Sequence, residues 1–207
     1  MNARLQDRLA LHLPPESGDS RRRQVGPVAL HDAAVRRFNA VLAQLDPNAP
    51  PVSADQVVTL ARWLQDQPRD QAVAVLSERL GRAEQLRRML NDSDWDVCVD
   101  TRERARMLIS YLQEVNDLIP DDLPLVGHLD DALLVELSWS AFADQAQDYG
   151  DYCRYRAAER PRGTPAERRL AWETACLAEA ALIQQRRQVR GRHYAMAPAL
   201  PDRFRIV

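Results

Sequence analysis

Apolar residues recur at three- and four-residue intervals along nearly the whole chain, and the strict alternation of a half-buried strand is missing. With only 7 Gly in 207 residues, there are few sites for the tight turns that join strands. This periodicity predicts an all-α fold, a compact multi-helix bundle of six to eight helices with no sheet beyond a strand in the tail. A chain of this length buries about 70% of the surface its unfolded form exposes and needs no disulfide or metal staple.

Breakers divide the pattern. Leu5, Leu9 and Leu13 suggest a short first helix, followed by a flexible linker from Pro14 to Ser20 that ends in Arg21-Arg22-Arg23. The expected organisation is an N-terminal helix and linker over 1–27, a globular domain over 28–195 and an extended tail over 196–207. Within the domain, one helix is predicted from about Val28 to Leu45. Ser53 and Gln56 form a capping box opening a second, with Val57, Leu60, Ala61 and Leu64 inward. A third starts near Pro68, carries Val73, Leu76 and Leu80, and ends at Gly81; a short one follows around Leu86, Met89 and Leu90. Ala105, Leu108, Ile109 and Leu112 mark the next. The segment from about Gly127 to Gln147 is apolar nearly all round, as befits a central helix. Thr164-Pro165-Ala166-Glu167 opens the last long helix, with Leu170, Leu177, Ala178, Ala181 and Leu182 on one face and Gly191 as its stop.

Charge narrows the function classes. The 28 basic residues, all Arg, nearly balance 30 acidic ones, so a generally basic nucleic-acid binder is excluded and a nucleic-acid partner is not expected. The absence of Lys reads as a GC-rich bacterial genome. Cys98, Cys153 and Cys176 leave at least one thiol free and form no CxxC pair, which favours a reducing cytoplasm. The charged N-terminus lacks a secretory h-region, and no window is apolar enough to span a bilayer.

The most distinctive stretch runs from Ile109 to Val135. A helix enters Asp117-Leu-Ile119-Pro120-Asp121, a second proline follows at Pro124, then Gly127, and the pair Asp130-Asp131 opens another helix. These residues closely resemble the signature of the YkvA-like domain, a bacterial family of unknown function, over roughly 105–140. Two positions depart from it. Val115-Asn116 replaces a small-residue–Pro pair, and Asp122 stands where an aromatic or apolar residue is usual. The resemblance implies a helical hairpin over about 105–147 and peripheral contact with the inner membrane, but no established activity.

The motif supports two readings. In one it is structural. Pro120 and Pro124 disfavour helix at Ile119 and Leu123. Leu118, Ile119, Leu123 and Leu125 plug the hairpin, Asp117 caps, and Asp130 and Asp131 favour a helix start. In the other, Asp117, Asp121, Asp130 and Asp131 converge on a divalent cation, since hard cations take oxygen ligands. A second acidic set, Asp92, Asp94, Asp96, Asp100 and Glu103, matches ligand positions of a twelve-residue calcium loop. Its sixth position is Val97 rather than the glycine that the turn demands, so a polar inter-helix loop is the favoured reading. His31-Asp32 has no partner His at useful spacing, with His12, His128 and His193 scattered. The cluster Arg186, Arg187, Arg190 and Arg192 complements a helix C-terminus or contacts an anion, lipid or RNA. Trp63, Trp95, Trp139 and Trp172 sit on helical faces. No nucleophile, phosphate loop or catalytic pair appears. The expectation is a non-enzymatic, cytoplasmic interaction or scaffold module that binds a protein partner or itself, without a cofactor. The alternative is a divalent-cation protein, either a calcium sensor or a metal-dependent enzyme.

Overall fold

The computed structural model describes residues 11–15, 23–114 and 118–195, with side chains to Val189. Leu5, Leu9, most of the predicted linker, Asp117 and the tail lie outside the described residues. Leu13 lies within them and is not helical. Among the described residues, two short strands, β1 (Gln24–Val25) and β2 (Val28–Ala29), precede seven helices: α1 (Asp32–Leu45), α2 (Ala54–Gln65), α3 (Arg69–Asn91), α4 (Val99–Tyr111), α5 (Leu129–Ser138), α6 (Ala143–Glu159) and α7 (Pro165–Ala195). The fold is all-α. The chain divides into two compact units, residues 1–150 and 151–207, so the division falls within α6 rather than at an end of the predicted 28–195 domain.

The first unit is built around α5. Leu129, Ala132, Leu133, Leu134 and Val135 are all at 0% exposure, which agrees with the expected central helix. Helices α3, α1 and α4 pack against it, and α3 is its most extensive neighbour. The Ser53 box forms as predicted: Gln56 N–H donates to Ser53 Oγ at 3.3 Å, and Ser53 N–H donates to Gln56 Oε1 at 2.9 Å. Val57, Leu60, Ala61 and Leu64 are buried below it.

Four elements differ from the sequence expectation. Val28 and Ala29 form the second strand of an antiparallel hairpin instead of starting a helix. Gly26, at φ +57, occupies the first central position of the turn, where a two-residue hairpin loop takes glycine. Helix α3 runs through Gly81 as one element. Its buried face of Ala72, Val75, Leu76, Arg79, Ala83, Leu86 and Met89 continues on both sides of the glycine. That packing outweighs a propensity penalty of about 1 kcal/mol. Val73, by contrast, is exposed.

The predicted 127–147 helix breaks at a 3₁₀ turn over Trp139–Ala141. Ser138 Oγ donates back to Leu134 O at 2.7 Å, and the Ser140 hydroxyl donates to Asp46 at the end of α1, so hydroxyls compete with the helical pattern there. Finally, α7 does not stop at Gly191 but continues to Ala195.

The second unit holds the latter part of α6 and α7. Its predicted capping box is present, with Thr164 N–H donating to Glu167 Oε2 at 2.7 Å and Glu167 N–H to Thr164 Oγ1 at 3.3 Å. The Tyr152 ring meets Trp172 edge-on, with centroids 5.8 Å apart. From Glu173 to Val189, every side chain of α7 is exposed. The face read as inward from Leu170 to Leu182 is therefore uncovered, with Leu177 72% and Leu182 54% exposed. Amphipathic spacing reports that a helix has an apolar face, not what covers it.

Candidate functional site

The motif between α4 and α5 folds into a tight turn stapled by backbone hydrogen bonds. Leu123 N–H donates to Pro120 O at 3.1 Å, Gly127 N–H to Leu123 O at 2.9 Å, and Leu129 N–H to Val126 O at 3.0 Å. Leu125 is forced to φ +69 within it. Gly127 is needed for close approach: a Cβ there would lie 2.3 Å from the Asp121 carbonyl oxygen. Leu118, Ile119 and Val126 form the buried plug, whereas Leu123 and Leu125, also expected in it, are only half-buried.

The aspartates separate into different roles. Asp130, at 0% exposure, turns its carboxylate back beneath the turn, where Oδ2 accepts from Leu118 N–H at 3.0 Å and Ile119 N–H at 3.1 Å. It anchors the backbone and is not among the described side chains whose ligand atoms gather at this turn. Asp117 lies outside the described residues. Asp121 and Asp131 do come together, and a residue read as scattered joins them. His128 Nδ1 stands 3.1 Å from Asp121 Oδ1 and 3.4 Å from Asp131 Oδ2. One ligand atom from each of the three lies within 4.8 Å of the others. His128 is exposed, Asp121 half-buried and Asp131 buried. Asp121 Oδ1 is shielded from solvent and accepts no hydrogen bond from the described residues, so the approach of Nδ1 is an electrostatic contact without aligned hydrogen-bond geometry. The i,i+3 spacing of His128 and Asp131 across the start of α5 was the available signal in the sequence.

Two carboxylates and an imidazole make a mixed oxygen–nitrogen set of a kind that suits first-row divalent metals. Adjacent ligands on an ion with bonds near 2.1 Å lie about 3 Å apart, close to the 3.1 and 3.4 Å between His128 Nδ1 and the two carboxylates.

The second acidic set does not converge. Among the described residues, only Asp121, His128 and Asp131 form a group of three or more ligand side chains. Asp92 Oδ1 accepts from Asp94 N–H at 2.9 Å and its Oδ2 from Tyr149 O–H at 3.0 Å. Asp96 pairs with Arg102 at 3.3 Å, while Asp100 and Glu103 point to solvent from α4. Val97 is buried, so the loop wraps an apolar anchor. The helix N-cap is Cys98, with Asp100 in the first turn. The Thr101 hydroxyl beside Cys98, followed by the Thr101 backbone, holds its thiol below the usual range. His31 is the N-cap of α1 and Asp32 pairs with Arg23. All four Trp are half-buried, among them Trp139 under the Arg82 guanidinium at 5.3 Å and Trp95 against Tyr149 at 5.6 Å.

Comparison with protein-family models, curated proteins and solved structures finds no match. Among the described residues, no helix is long and apolar enough to cross a membrane.

Proposed function

We propose that this chain is a non-enzymatic helical interaction module that docks through α7. The observation that carries the reading is the uninterrupted exposure of Glu173 to Val189, which includes Leu177, Leu182, Ile183 and Val189. Leu170, Leu177 and Leu182 share one side of the helix, and an exposed apolar face of this kind marks interaction sites in soluble proteins. Helical stability in proteins comes mostly from packing of an amphipathic face, so a covering partner also stabilises α7 itself. A reducing, cytoplasmic setting accords with three free cysteines. The YkvA-like turn then serves as the scaffold's rigid corner, and membrane contact is peripheral. A photo-crosslinking residue at Leu177, in cells of the source organism, should give a defined adduct, whereas the same probe at exposed Glu103 should not. No adduct at Leu177 refutes the reading.

A second reading is favoured by the separations at the turn: Asp121, His128 and Asp131 bind a divalent cation. Thermal melting with manganese, magnesium or calcium against EDTA tests it, because a cation at a hundred times its Kd adds about 2.7 kcal/mol of stability. The rise should vanish in His128→Ala. No metal-linked rise in the parent chain refutes it.

A further inference from the structure

We propose that residues 11–15 form a strap occupying a peptide-binding site beside the start of α2, and that an extended Leu-x-x-Pro segment of another protein takes its place. This site is independent of α7. Leu11, His12, Leu13, Pro14 and Pro15 form neither helix nor strand. Leu11 is buried at 3% exposure, whereas His12 and Pro15 are exposed and Leu13 and Pro14 half-buried. An extended chain advances at most about 3.6 Å per residue, so Leu11 is seated within about 11 Å of Pro14. Pro14 O accepts from Gln56 Nε2 at 2.7 Å, and this is the only hydrogen bond from the strap to another described residue.

The receiving side is held rigid by bonds that do not involve the strap. The Asn39 amide clamps Val52, donating to its carbonyl and accepting from its N–H, both at 2.8 Å. One residue on, the capping box engages Gln56 Oε1 with Ser53 N–H. The Gln56 amide is thereby fixed in one orientation, with Nε2 aimed at the strap. Gln56 is only 6% exposed, so the site favours an occupant that brings a carbonyl to that donor. The strap, by contrast, is held lightly. One buried leucine and one hydrogen bond stand against the backbone entropy of ordering five residues, and these contributions are of similar size. Leu13 precedes a proline and is biased to extended backbone, and φ is fixed at Pro14 and Pro15. A peptide of this pattern therefore loses little freedom on binding. One apolar anchor and a main-chain carbonyl beside prolines are the means by which grooves take extended peptides.

Fluorescence anisotropy of a labelled peptide of residues 8–17, titrated with the full chain, tests the proposal. In the parent chain the tethered strap competes at high effective concentration and keeps the affinity low. In Leu11→Asp the strap no longer seats, and the same peptide should bind roughly tenfold more tightly. Gln56→Glu then isolates the donor. Glutamate keeps the capping box, because its carboxylate accepts from Ser53 N–H, but it has no N–H for a carbonyl. Added to Leu11→Asp, it should weaken peptide binding roughly tenfold with helical circular dichroism unchanged. Leu11→Ala makes the same comparison if Leu11→Asp fails to fold. A folded Leu11 variant that binds the peptide no more tightly than the parent overturns the proposal. So does binding indifferent to Gln56→Glu. Loss of folding in both Leu11 variants also overturns it, since a displaceable strap is not essential to the fold.

Discussion

Replacing Asp130 with alanine should destabilise the first unit more than any other change at a charged position of the turn. The carboxylate is fully buried, and its Oδ2 holds two backbone N–H groups, those of Leu118 and Ile119, at 3.0 and 3.1 Å. Alanine leaves both donors in a site where Ile119 itself is at 0% exposure. An unsatisfied buried donor costs about 1–3 kcal/mol, so the pair should cost about 2–6 kcal/mol. For a protein of this size that lowers the melting temperature by roughly 10 °C. Asparagine keeps one accepting oxygen but loses the charge, and a neutral hydrogen bond is about half as strong, so Asp130→Asn should cost about 1–2 kcal/mol. Asp131→Asn, at the helix start, should cost about 1 kcal/mol or less. Urea unfolding followed by circular dichroism measures all three, and the denaturant slope should be unchanged if the variants reach the same denatured state. A cost under about 1 kcal/mol for Asp130→Ala, or a larger cost for Asp131→Asn than for Asp130→Asn, would refute the assignment of Asp130 as the anchor.

Two further outcomes are expected. Gly127→Ala should cost roughly 2–3 kcal/mol, because the new methyl would meet the Asp121 carbonyl at 2.3 Å and the turn must open; neutral denaturation data would show the close approach to be unimportant. Asp46 should make stability fall on acidification: the Ser140 hydroxyl, then the Asn48 backbone N–H, hold its carboxyl below the usual range. The unfolded chain takes up the proton first, so the contribution is present above the ordinary carboxylate pKa and is lost as pH drops through the lowered one. Asp46→Asn should flatten that fall, and equal slopes in the two proteins would dismiss the coupling.

The fold class, the Ser53 and Thr164 helix starts and the burial of α5 were legible in the sequence because each rests on residues adjacent along the chain: a three-to-four period, a capping pair, a run of leucines. Pro120, Pro124 and Gly127 likewise announced a stiff corner. What only the tertiary structure decided depends on partners distant in sequence. Helix α3 continues through Gly81 because its inward face stays packed on either side, which local propensity cannot anticipate. The break at Trp139 requires Asp46, from another helix, to engage Ser140. At the turn, three aspartates of one chemistry separate by the direction each faces. Asp130 turns inward to backbone donors, Asp131 meets His128, and Asp121 reaches them because Gly127 lets two backbone segments nearly touch. Beyond the i,i+3 spacing of His128 and Asp131, composition and spacing carry no information about such directions, since they arise only when the chain closes on itself.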